Sequence, residues 1–204
     1  NNPRGWAIIA EWLRGGEIVD NLALNGGGGY RKALIVSDTG GGSTSGGVQN
    51  VTIARNIWYN WGGDFQFDGN SSELRNVTFS SNIVHESAAL APVFLHEFAT
   101  TTAMVTSSNN TVWTASGQSG WGEIAGGSKS FTQWKSAVGD TTSTAAQSTF
   151  PNPNVTINSY STAKGLTPSY DAFMARVREQ RKGNWDVRYE ADDVGTWFRA
   201  QFGR

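Results

Sequence analysis

Asn50-Val51-Thr52-Ile53-Ala54-Arg55-Asn56-Ile57-Trp58-Tyr59 and Asn76-Val77-Thr78-Phe79-Ser80-Ser81-Asn82-Ile83-Val84-His85 are two copies of one pattern. Each is a short β-prone string that ends in Asn and resumes with another. Working outward, Asn21 in Val19-Asp20-Asn21-Leu22 and Asn110 in Asn109-Asn110-Thr111-Val112 occupy the same setting, and Met104-Val105-Thr106 repeats the prefix without its Asn. The intervals between the four asparagines are 35, 26 and 28 residues. A fixed unit repeated at this length is the signature of a solenoid, in which each repeat buries its apolar face only against its neighbours.

The period-2 strings make each repeat a coil of strands, so the expected fold is all-β, a parallel β-helix. Successive coils stack at the strand spacing of about 4.8 Å, and equivalent residues form ladders. Val51, Ile53 and Ile57 are expected to stack on Val77, Phe79 and Ile83 inside. Asn21, Asn56, Asn82 and Asn110 are expected at one bend, bonded to each other and to nearby backbone. Second strands follow at Ala33-Leu34-Ile35-Val36, Phe65-Gln66-Phe67 and Val93-Phe94-Leu95. Trp6-Ala7-Ile8-Ile9 fits the coil before them and Gly122-Glu123-Ile124 the coil after. About four to five coils then fill residues 1–126. Thr39 to Gly47, rich in Gly and Ser, reads as an inserted loop.

Residues 127–204 break the repeat and read as a C-terminal extension that caps the solenoid. Ser130-Phe131-Thr132-Gln133-Trp134 is a capping box opening a short helix with Phe131, Trp134 and Val138 on one face. Thr141 to Ile157 reads as loop. A second helix is expected from Thr167-Pro168, with Tyr170, Phe173, Met174 and Val177 as its stripe. A last helix uses Val194, Trp197, Phe198 and Phe202, with Asp192 and Asp193 in its first turn.

These coils, the Ser130–Trp134 segment with Gly139-Asp140, and the tail from Tyr170-Asp171-Ala172-Phe173 through Gly183-Asn184-Trp185-Asp186 to Phe202-Gly203 resemble bacterial right-handed parallel β-helix repeat proteins of the pectin lyase-like superfamily. The resemblance implies a right-handed coil. The wider fold is associated with polysaccharide lyases, pectinase-like glycoside hydrolases, epimerases and phage tailspikes, and fold alone assigns no chemistry. Such proteins carry an N-terminal half that this chain does not match. The chain opens at Asn1-Asn2-Pro3 without Met and reads as part of something longer. The expectation is an uncapped first coil that pairs with a removed portion or with a second copy, a homo-oligomer.

Composition narrows the rest. The 204 residues carry a net charge of −1, with 16% charged residues, 25 Gly, 9 Trp and no Cys. Nucleic acid is not expected as a partner, because there is no basic footprint. No apolar run spans a membrane. No disulfide or Cys-based site exists. No signal peptide is seen, and secreted or periplasmic localisation follows from the bacterial resemblance. Asn-x-Ser/Thr triplets at Asn50, Asn70, Asn76, Asn109 and Asn154 follow from the repeat, so no glycan is expected.

The candidate chemistry lies where the second strands end. Glu11, Asp38, Asp68 and His96-Glu97 follow them and are expected to form a row along one edge. Neighbouring rungs approach the roughly 5–5.5 Å of retaining glycosidases, and alternate rungs the roughly 6.5–9.5 Å of inverting ones. Asp38 or Asp68 is cast as acid or base with Glu97 as partner and His96 as orienter. The substrate is a polysaccharide, with Trp58, Trp61, Arg31 and Lys32 as binding residues. No cofactor or structural metal site is expected, although the same oxygens suit Ca²⁺. The alternatives are turn chemistry for these acids, and packing for Trp58 and for Trp134, Trp185 and Trp197. A polysaccharide lyase using Tyr30-Arg31-Lys32, Arg55 or Arg75, or a non-catalytic carbohydrate-binding or structural β-helix, also stays open. No phosphate loop, nucleophile elbow or zinc motif is present.

Overall fold

The computed structural model describes residues 8–24, 32–37, 47–61, 63–86, 92–114, 121–146 and 155–204. The chain forms two compact units, Asn1–Ser148 and Thr149–Arg204. Asp38, Arg31, Trp6 and most of the Gly/Ser loop lie outside the described residues.

In the first unit the strands are β1 (Ile8–Glu11), β2 (Arg14–Val19), β3 (Leu22–Leu24), β4 (Leu34–Ser37), β5 (Val48–Ala54), β6 (Ile57–Trp61) and β7 (Phe65–Asp68). They continue with β8 (Leu74–Ser80), β9 (Ile83–Glu86), β10 (Phe94–His96), β11 (Val105–Ser108), β12 (Thr111–Thr114), β13 (Gly122–Ile124) and β14 (Gly127–Lys129). Helix α1 (Phe131–Ala137) and β15 (Thr144–Ala145) complete the unit. Every third strand joins the same sheet. The first sheet runs β1-β4-β7-β10-β13-β14, the second β2-β5-β8-β11 and the third β3-β6-β9-β12-β15. All pairs are parallel except β13 with β14. This is a parallel β-solenoid.

The interior is a stack of apolar columns. Val51 pairs with Val77 and Ile53 with Phe79, all fully buried. Phe65, Phe94 and Trp134 form an aromatic column, with centroids 5.7 Å and then 4.0 Å apart. The strand position below Phe94 is Gly122. A Cβ there would sit 3.1 Å from the Trp134 ring, so the missing side chain is what lets α1 insert its indole as the next rung. Trp58 faces the same interior, stacked at 6.2 Å on Phe79. Its neighbour Ile57 pairs with Ile83 as expected, and both are buried, at 1% and 5% exposure.

The asparagine ladder is one bend. Asn21, Asn56 and Asn82 each donate from backbone N and Nδ2 to the Oδ1 of the next Asn, at 2.9–3.1 Å. Asn56 and Asn82 also donate from Nδ2 to Ile18 O and Ile53 O. Asn110 closes the run on Ser143 Oγ, with Asp140 held beneath by Ser107 Oγ at 2.6 Å. The residue before each ladder Asn is left-handed: Asp20, Arg55, Ser81 and Asn109 have φ of 59°, 56°, 56° and 55°. A second left-handed column crosses the second sheet at Gly15, Asn50 and Asn76. That explains the leading Asn of the Asn-Val-Thr prefix, since Asn tolerates this conformation better than most residues. Asn76 Nδ2 donates to Asn50 Oδ1 at 2.9 Å.

At the C-terminal end each sheet is closed differently. β14 turns back antiparallel on β13, Ser107 N donates to Val138 O, and two-residue β15 ends the third sheet. Helix α1 carries the expected capping box. The first coil is less enclosed. Ile9 is 44% exposed and β2 is mostly exposed, against buried alternate residues in β5.

The second unit holds α2 (Ile157–Ala163), α3 (Tyr170–Glu179), a 3-10 turn (Val187–Tyr189) and α4 (Ala191–Gln201). Buried Tyr160 meets Phe173 and Trp197 edge-on at 5.8 and 5.4 Å. Helix α2 falls partly in the stretch read as loop, and α3 is capped by Ser169, two residues beyond Thr167. Asp192 and Asp193 lie in the first turn of α4 as expected.

Candidate functional site

The outer face of the first sheet is set by strand parity. In β7, Phe65 and Phe67 point inward and Gln66 alternates to the other face, while Asp68 at the strand's end stays buried. The strand register pairs Glu11 with Ser37 and Ser37 with Asp68. His96 pairs with Phe67, and Glu97 N donates to Phe67 O at 3.2 Å. Glu97 is therefore the rung after Asp68. One column reads Glu11, Ser37, Asp68 and Glu97, exposed at Glu11 and Glu97 but buried at Ser37 and Asp68, and the neighbouring column reads Ile9, Ile35, Gln66, Leu95 and Glu123.

The two central carboxylates differ in environment. Asp68 is 8% exposed, with Ser37 Oγ 3.4 Å from its Oδ2. Glu97 is exposed and accepts from Gln66 Nε2 at 3.0 Å. Asp38 lies one position past Ser37, outside the described residues, so the rung-mate of Asp68 is Ser37. Trp12, 47% exposed, follows Glu11 at the end of the column.

The structure does not bring the other candidates to this face. His96 is fully buried inside the coil, stacked at 4.8 Å on Phe67. Trp134 Nε1 donates to His96 Nε2 at 3.1 Å, and Thr100 Oγ1 lies 2.9 Å from Nδ1. An indole N–H only donates, so Nε2 is unprotonated and Nδ1 carries the proton. Burial holds the His96 pKa down at about 3. Its imidazole locks α1 to β10 and does not orient an outer carboxylate. Trp58 is 1% exposed and has no free face for a sugar. Trp61 packs half-buried against the core. Lys32 is bound to Asp64 at 2.7 Å, and Arg31 is not among the described residues. Of the cations named for a lyase, Arg55 pairs with Asp20 at 2.7 Å and Arg75 donates to Ser71 O. Among the described residues no three His, Asp or Glu side chains converge as a metal site.

One group escaped the sequence reading. Tyr59, His85 and Trp113 stack in a column on the outer face of the third sheet, at 4.6 and 4.1 Å between rings. Burial lowers the His85 pKa to about 4, and its Nδ1 accepts from Asn60 N. The signal was present, since each ring lies three positions after a ladder Asn. The facing ring surfaces cover one another, which makes this column packing.

No family model, curated protein or solved structure matches the chain. Among the described residues no helix is long and apolar enough to cross a membrane.

Proposed function

We propose that this chain is a carbohydrate-active protein of the right-handed parallel β-helix class, with about four to five coils, that hydrolyses a polysaccharide lying along the outer face of its first sheet. The observation that carries this reading is that Asp68 and Glu97 lie on successive rungs of one column. Adjacent strands stand about 4.8 Å apart, near the roughly 5–5.5 Å between the carboxyls of retaining glycosidases. Their unequal environments suit unequal roles. Enclosed Asp68 gives its proton to the glycosidic oxygen as the C–O bond breaks, and exposed Glu97 attacks the anomeric carbon. Water, deprotonated by Asp68, then releases the sugar. Trp12 offers the exposed ring at the end of the column. The lyase variant is weaker, because Lys32 and Arg55 are held in ion pairs and Arg75 on a backbone carbonyl.

A second reading, a non-catalytic carbohydrate-binding or structural solenoid, draws on the enclosure of Asp68 beside Ser37. In either case the less enclosed first coil is proposed as the contact to a second copy, and secretion to the periplasm or outside is the proposed setting. The test incubates the chain with a polysaccharide panel and follows reducing ends and the ultraviolet absorbance of unsaturated products. Reducing ends alone are expected. Both signals would indicate a lyase, and binding with neither would support the second reading. Cleavage that survives Asp38→Asn, Asp68→Asn and Glu97→Gln together would rule out this site.

A further inference from the structure

The second unit carries an aromatic ring that its fold holds out in solvent. Trp185 is 61% exposed, although a large indole is usually highly buried. Both its neighbours are anchored. Asn184 Nδ2 donates to Glu179 O at 3.1 Å, and its Oδ1 accepts from Arg181 N at 2.9 Å. Asp186 N donates to Gln180 Oε1 at 2.7 Å, and its carboxylate pairs with Arg188 at 2.7 Å. The ring itself is fixed by a hydrogen bond from Trp185 Nε1 to Glu190 Oε1.

Beside the ring is an open cleft of about 320 Å³, lined by Val177, Gln180, Tyr189, Glu190, Ala191 and Asp192. That volume is at the lower end of small-molecule sites, which span roughly 300–1,000 Å³. The lining combines apolar surface with two carboxylates, and it includes no cation. We infer that this cleft binds one ring of a neutral polysaccharide, stacked on Trp185 with its hydroxyls donating to Glu190 and Asp192. An aromatic face matches the apolar face of a sugar, while the carboxylates accept from hydroxyls and repel a uronate. The indole is already held in place, so binding orders little that was free. The inference rests on the preceding reading for its substrate class, but it uses a different unit and needs no catalysis.

The experiment measures retention of the full chain by affinity electrophoresis in a β-glucan, a xylan and a galactomannan, with polygalacturonate as the anionic control. Retention is expected in at least one neutral glycan and not in polygalacturonate. Trp185→Ala should weaken it about tenfold and Trp185→Phe about threefold, as one ring's contact is lost or reduced. Circular dichroism and urea unfolding check that both variants fold. Reducing ends are assayed separately on the same glycans, so the absence of hydrolysis leaves the retention result readable. Unchanged retention in a folded Trp185→Ala protein would overturn the inference, as would stronger retention in polygalacturonate. Retention on a polylysine resin that Trp185→Ala abolishes, with none in the neutral glycans, would reassign the cleft to a cationic peptide.

Discussion

The asparagine bend and the outer carboxylate column both present one side chain per coil, yet only the first is a chain of like residues. A carboxamide has both a donor and an acceptor, so Asn56 and Asn82 each satisfy a neighbour above and below. A carboxylate only accepts, and like charges stacked rung on rung repel. The column is accordingly mixed: Glu11, Ser37, Asp68 and Glu97. Asp68 and Glu97 are two successive acids in it, a pairing that like-charge repulsion disfavours. That is why the column, and not the ladder, is the place to look for chemistry.

The harshest way to break the comparison is to make the ladder resemble the column. Asn82→Asp turns the donations to Ile53 O and Asn110 Oδ1 into oxygen–oxygen contacts around a buried charge. A loss of about 3–5 kcal/mol is expected in urea unfolding. Glu97→Gln, by contrast, should change stability by less than about 0.5 kcal/mol, because Glu97 is exposed.

Acid titration is next in size and separates interior from surface. His96 and His85 are held neutral by burial, with pKa values near 3 and 4 against about 6.5 in the unfolded chain. Their contribution is complete above about pH 6.5 and is lost as pH falls through their folded values, because the unfolded state then binds the protons. A tenfold difference in proton affinity between the folded and unfolded chain is worth about 1.4 kcal/mol, so a loss of a few kcal/mol is expected between pH 7 and 4. The midpoint temperature measured across that range should fall, and His96→Gln should flatten the slope. A flat profile in the unmodified protein would mean that His96 is not enclosed as described.

The smallest effect tests whether the ladder weakens toward its open end. Asn21 is exposed and accepts from no earlier coil among the described residues, so Asn21→Ala should cost less than about 1 kcal/mol. Asn82→Ala should cost about 2–3 kcal/mol, because it leaves buried groups unpaired. Equal losses at both positions would mean that the enclosure gradient along the solenoid is not real.

The ladder was legible because Asn at a bend repeats with the coil length whatever the loop lengths between. The face of each side chain was legible only where parity was followed from an apolar anchor. Phe94-Leu95-His96 puts His96 on the same side as Phe94, and Asn56-Ile57-Trp58 puts Trp58 two positions past the bend, inside. Reading strand ends by their acids instead set Asp38 beside Asp68, when the Val36–Phe67 pairing brings Ser37 there. Helix α2 hid because its capping box uses Ser159 where Glu or Gln is the usual signal. The Trp134–His96 bond joins residues 38 apart and needs the helix docked before it exists.

Closure of the last coil has a consequence for how molecules meet one another. A stack of parallel strands is a template, and an open end invites another chain to continue it. Here the amide run ends on a hydroxyl, the first sheet doubles back, and the second gives its edge N–H to the end of a helix. None of these offers the next rung. Linear growth, copy onto copy in the manner of a fibre, is opposed at this end of the first and second sheets.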